Sequence, residues 1–374
     1  MDCPHRPPCP GCPRFGEAGI LPVAYDALAA LARAQGLPPP TVVEGRGPGY
    51  RHRARLAIRG RATSPKIGIF QEDTHKIVDT PRCVVHHPLV NEVAAAVKAA
   101  IRRTGVTMYG DGSHRGLVRY LQVVVERPSG TAQVVLVAND ETPDTLSATA
   151  ELVRTTLGDR LHSLWWNGNT ETTNEILGPR WHCWAGPDAV CETIGGARVF
   201  YPPGAFGQAN LPLADRIVRL VHDWVPRDAR VLEMHAGVGA IGLGLAARGQ
   251  AVVFNEFSRW SIPGLNLGLA ALGPDARDRT EVRRGSAANH LDAIDEADVV
   301  ICDPPRRGLE PPLLDRLVSE PPATLIVVSC NLDAFLDESR ALLRGGRVKL
   351  AALVPFALFP YTDHVETVAR FERV

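Results

Sequence analysis

Residues Val299–Asn331 read VVICDPPRRGLEPPLLDRLVSEPPATLIVVSCN, and the fold follows from how this stretch alternates. Two short apolar, β-branched runs, VVIC and TLIVV, flank a weakly periodic segment of helical character. Runs of this kind are buried strands of a parallel sheet covered on both faces. Each run stops at a polar group with chemistry to offer, Asp303 after the first and Cys330 after the second. Open α/β sheets take their ligands at the carboxyl ends of strands, so a carboxylate and a thiol open into one crevice. A free cysteine is more often a small buried hydrophobe, so the neighbouring motifs have to decide its use.

The chain has 374 residues, which predicts two domains, because a single core rarely grows beyond roughly 250–300 residues. Composition is that of a soluble globular protein, 45% hydrophobic and 22% charged, with no net charge. No apolar run approaches the roughly 18–20 residues of a membrane span and no charged-then-apolar leader opens the chain, so a cytoplasmic protein without a membrane partner is expected. Charge is uneven, however. Arg46, Arg51, Arg53, Arg55, Arg59, Arg61 and Lys66 form a run of seven basic residues without an acid, either a solvated face or a phosphate-contacting surface.

Before that run comes MDCPHRPPCPGCPRF, with Cys3, Cys9 and Cys12 among prolines. Three thiolates in so short and stiff a loop suit a ligand cage, and a fourth ligand would complete either a zinc site or a cubane cluster. Cys83 is the best candidate for it. Residues 49–79, GYRHRARLAIRGRATSPKIGIFQEDTHKIVD, alternate as two antiparallel strands, Asn91–Arg103 is an amphipathic helix, and LVRYLQVVVER with TAQVVLVAN makes a hairpin. Thr142 and Pro143 read as a helix start. Trp165, Trp166, Cys183 and Cys191 are taken as packing residues.

Farther on, VLEMHAGVGAIGLGLAARG places Gly237, Gly239 and Gly242 between a strand and a helix. Glycines there let backbone approach a ligand at the helix start. Glu256 ends the next strand, 17 residues past Gly239, where a carboxylate accepts ribose hydroxyls. Strand, glycines, helix, strand and acid together indicate an adenine nucleoside, either NAD or S-adenosylmethionine. Near the end, two strand-like runs flank His364 and Glu366.

Taken together, C-x5-C-x2-C with Cys83, GYRHRARL, FGQAN, HAGVG, DPPRRG, SCN and HVET resemble, across nearly the whole chain, the uracil-5-methyltransferase family of RNA-modifying enzymes. The resemblance implies an α/β fold: a C-terminal Rossmann-like S-adenosylmethionine-dependent methyltransferase domain, residues 199–374. Residues 91–198 would be an α+β RNA-binding domain, and residues 1–90 an iron–sulfur module with the start of the basic α+β domain. It further implies a 4Fe-4S cluster on Cys3, Cys9, Cys12 and Cys83, Cys330 as nucleophile and Glu366 as base. Gln208, His235, Gly237, Gly239, Glu256, Ser286 and Asp303 would surround the cofactor and target base. Ribosomal RNA is the first expected substrate and tRNA the second, with the protein a monomer. Two departures stand out: His235 replaces an aromatic ring near the cofactor, and Ser286 lies where an acidic or amide residue commonly faces the adenosine. Rival readings are a non-catalytic iron–sulfur RNA-binding protein and a NAD-dependent oxidoreductase.

Overall fold

The computed structural model describes residues 2–374, which divide into two compact units. The first comprises Met1–Phe15, Arg46–Glu192 and Pro202–Leu211; the second comprises Gly16–Gly45, Thr193–Tyr201 and Pro212–Val374. Among the described residues no helix is long and apolar enough to cross a membrane.

The first unit is built on seven strands: β1 (Arg53–Arg61), β2 (Ser64–Phe70), β3 (Ile77–Asp79), β4 (Val118–Glu126), β5 (Thr131–Ala138), β6 (Leu161–Gly168) and β7 (Arg180–Ala185). Their order is β3-β2-β1-β4-β5-β6-β7, antiparallel except between β5 and β6. The helix Pro88–Thr104 buries Leu89, Val93, Val97 and Ile101 at three- and four-residue spacing and ends on Gly105 in the left-handed region. The second helix begins at Ser147 rather than Thr142. Asp140 engages the Glu141 amide and the Thr145 hydroxyl, and a 3-10 turn over Asp144–Leu146 precedes the helix.

The basic run is partly internal. Arg53 donates to the Ala205 carbonyl at 2.8 Å. Arg59 is buried, paired with Asp111 at 2.6 Å, and packed against the rings of Phe70, Tyr109 and Tyr120. Arg119 beside it donates to the carbonyls of Asn169 and Glu171. By contrast Arg46, Arg61 and Lys66 are exposed.

Cys3, Cys9, Cys12 and Cys83 line one pocket of this unit together with His5, Arg6 and Arg51. Among the described residues, nevertheless, no group of three or more His, Cys, Asp or Glu side chains is arranged to hold a metal ion. That overturns the expected 4Fe-4S cluster and the iron–sulfur module based on it. Burial pushes the Cys9 and Cys83 thiols up and that of Cys12 to about 11, and neighbouring thiolates would add repulsion. As neutral, buried or partly buried thiols these cysteines pack as small apolar groups.

A ribbon of β8 (Val190–Ile194) and β9 (Ala197–Tyr201) leads to the second sheet. That sheet comprises β10 (Arg230–Met234), β11 (Ala251–Glu256), β12 (Thr280–Arg284), β13 (Val299–Cys302), β14 (Thr324–Ser329), β15 (Val348–Phe356) and β16 (Glu366–Arg373). The order is β12-β11-β10-β13-β14-β16-β15, with β10 to β14 parallel and β16 antiparallel between β14 and β15. The run VVIC is buried throughout, as its unbroken apolar character requires. Because the chain winds outward from β10 to β11 and β12, then returns to β13, a crevice opens at the carboxyl ends of β10 and β13.

Candidate active site

Five strand ends of the second unit carry the chemistry. At the end of β10 the backbone turns sharply: His235, Gly237 and Gly239 all have positive φ, at 58°, 59° and 79°. A Cβ on Gly237 would meet nothing within 4 Å, so that backbone faces open space, whereas one on Gly239 would press on Leu243 and Leu265. Glu256, buried at the end of β11, accepts the Gly237 amide at 2.5 Å through one oxygen and the Ser258 amide through the other. A carboxylate so held keeps lone pairs for further donors. The next residue, Phe257, is 78% exposed. Beneath the turn, Glu233 accepts the Gly242 amide, and burial pushes its carboxyl up to about 8.

Ser286 follows β12 and donates to Glu310 Oε2, which also accepts the Ala288 amide at 3.0 Å. Glu310 comes from the loop after β13, so this link passes over the ends of β10 and β11. The ring of His235 lies within reach of the Glu310 charge, and among the described residues neither of its buried nitrogens makes a well-formed hydrogen bond, the Met234 backbone being a polar neighbour. Burial lowers the His235 pKa, which keeps the imidazole neutral.

The second cluster gathers Asp303, Cys330 and Glu366. Asp303 directly follows β13 and Cys330 directly follows β14. Ser329 pairs with Thr367 at the end of the antiparallel β14–β16 ladder, and the same register carried one residue further sets Glu366 opposite Cys330. Glu366 is 2% exposed, and among the described residues its Oε1 has no hydrogen-bond partner. Burial raises its pKa well above the carboxylate range, the Asp303 charge adds to this, and Arg306 opposes it. Burial likewise takes Asp303 to about 7. The Cys330 thiol is raised by burial first, then by the charges of Glu366 and Asp303, again against Arg306.

Two loops hold this cluster in register. Asn331 caps the helix Leu332–Arg344 by accepting the amides of Asp333 and Ala334, and its Nδ2 donates to the Arg306 carbonyl at 2.8 Å. From the same helix, Glu338 accepts the Leu309 amide at 2.6 Å, beside Gly308 at φ 84°. Sequence reasoning had no access to Glu310 or Glu338, since their partners stand 24 and 29 residues away without periodicity. Gln208 belongs to the Pro202–Leu211 segment of the first unit.

A doubly wound sheet with a nucleoside-type turn and a thiol beside two carboxylates defines a group-transfer enzyme of the Rossmann-like class. Residues 193–374 match the family model described as tRNA (Uracil-5-)-methyltransferase. An RNA methyltransferase of Protochlamydia amoebophila is 32% identical over 381 residues, covering 100% of this chain and 98% of the relative. One of Gloeobacter violaceus is 30% identical, covering 99% and 84%. The crystal structure of Pyrococcus abyssi tRNA (uracil-54, C5)-methyltransferase in complex with S-adenosyl-L-homocysteine superposes with a TM-score of 0.77 at 26% identity, covering 97% of this chain and 84% of that one. The chain belongs to the RNA (uracil-5-)-methyltransferase family, and its activity is that of an RNA (uracil-5-)-methyltransferase.

Proposed function

We propose that the protein methylates carbon 5 of a uridine in ribosomal or transfer RNA, using S-adenosylmethionine and a covalent adduct to Cys330. The observation that carries this reading is the β14–β16 register, whose continuation sets Glu366 opposite Cys330, with the Asp303 charge acting on both. The crevice suits an adenine nucleoside: Glu256 has acceptor capacity left, Gly237 faces open space, and among the described residues neither buried nitrogen of His235 makes a well-formed hydrogen bond. Gly237, Gly239, Glu256, His235, Ser286 and Asp303 would hold the cofactor. Bound there, S-adenosylmethionine supplies an electrophilic methyl group.

Carbon 5 of uracil is too weak a nucleophile to accept that methyl unaided. The Cys330 thiolate adds to carbon 6, forming an S–C6 bond and moving the C5=C6 electron pair onto carbon 5 and its conjugated carbonyl. Carbon 5 then forms its bond to the methyl group, whose former bonding pair stays on the cofactor sulfur. Glu366, ionised for this step, takes the proton from carbon 5. The C–H electron pair restores the C5=C6 double bond, the S–C6 bond breaks, and Cys330 leaves as thiolate. Burial makes Glu366 a stronger base once it is ionised. Arg306 is a cation that tempers two of the crowded acidic groups, Cys330 and Glu366.

Protein incubated with labelled S-adenosylmethionine and, separately, ribosomal RNA and tRNA tests the proposal by nucleoside digestion. Label should appear in 5-methyluridine from one of the two RNAs. Cys330→Ala should lose on the order of 10⁴-fold or more in rate, while Glu366→Gln should accumulate a protein–RNA adduct. Full turnover in Cys330→Ala would refute the covalent route.

A further inference from the structure

Ser286, which follows β12, has no charge of its own, yet a carboxylate is held beside it. Glu310 brings it from the opposite side of β10. As the residue preceding the helix Pro311–Ser319, Glu310 is placed to cap that helix, where its charge would meet the positive end of the dipole. It makes no such bond. Its Oε2 instead accepts Ser286 Oγ–H and the Ala288 amide, and its Oε1 has no partner among the described residues.

Strand order says what that oxygen faces. β12, β11 and β10 lie side by side, ending near Ser286, Glu256 and Gly237, while Cys330 lies past β13 at the end of β14. A ribose held at Glu256 must send its methyl-bearing arm toward Cys330 and therefore its base toward β12. Resting on the S-adenosylmethionine reading of this crevice, we propose that Glu310, in place of Ser286, recognises the 6-amino group of the cofactor's adenine through Oε1, with Ser286 positioning the carboxylate. Burial tends to raise the Glu310 pKa, but the bonds from Ser286 and Ala288 bring it below the ordinary range. An ionised carboxylate only accepts hydrogen bonds, so it selects an amino group over an oxo group.

Binding of S-adenosylhomocysteine and of its 6-oxo analogue, S-inosylhomocysteine, to the full chain tests this by calorimetry. The parent should prefer the amino compound by roughly ten- to hundredfold, the range of a hydrogen bond to a charged group. Glu310→Ala should bring the two within about threefold of each other by removing that bond. Glu310→Gln keeps an acceptor for Ser286 and Ala288 but presents an amide donor, so its preference should shift toward the oxo compound. A merely structural carboxylate would produce no such reversal. Discrimination unchanged in both variants overturns the assignment while leaving the cofactor reading intact. A parent that binds neither compound overturns both.

Discussion

Cys330 sits in surroundings that oppose its ionisation. Burial and the charges of Glu366 and Asp303 raise its thiol pKa, against the Arg306 charge and the thiol's own backbone amide, which favour the thiolate. Alkylation of Cys330 by iodoacetamide should therefore rise with pH past the ordinary thiol midpoint of 9.0. In Glu366→Gln the carboxylate charge is gone, so the alkylation profile should move to lower pH. An unmoved profile would show that the two groups do not sense each other. A cationic ligand in the crevice should act in the same direction by favouring the anion. Asp303 and Cys330 were legible from sequence because each ends a run too apolar to be anything but a buried strand. The association of Cys330 with Glu366 was implied by the family resemblance alone, since the register of β16 on β14 is a non-local fact that no spacing encodes.

Among elements, the helix Leu332–Arg344 does more than cover the sheet. Through Asn331 at its start and Glu338 within it, it grips the Arg306–Leu309 loop at two points. Glu338→Ala leaves the Leu309 amide buried without a partner and should lower stability by about 1–3 kcal/mol. Asn331→Ala loses the cap and should lower stability by about 1 kcal/mol. Urea unfolding of each variant checks these values. Gly308→Ala should be worse tolerated than either, because its Cβ would strike Glu338 Oε1 at a positive φ. The strand-and-helix alternation around DPPRRG was readable from periodicity. Glu338, by contrast, lies on an amphipathic helix where an acid reads as solvated.

At the scale of the whole molecule, the basic run divides into two populations that sequence presents as one. Arg59 is committed to Asp111 and three aromatic rings inside the first unit, so Arg59→Ala should cost roughly 3–5 kcal/mol of stability, as breaking a buried pair does. Arg61 and Lys66 are exposed. Lys66→Ala should leave stability unchanged but weaken RNA binding, and should reduce the slope of log affinity against log salt by about one. Filter binding over a salt series separates the two. The N-terminal cysteines teach a related lesson: their spacing in sequence suggested a ligand cage, but ligation depends on charge state and mutual geometry, which spacing leaves open. The threading of β16 between β14 and β15 also sets an order of events during synthesis. As the ribosome delivers the chain, Cys330 emerges 36 residues before Glu366, and until β16 follows, β14 remains an open edge. An unfinished chain thus carries the Cys330 thiol without the carboxylate that the finished sheet sets opposite it, so on the proposed mechanism the nascent protein is inert toward the RNA that surrounds it.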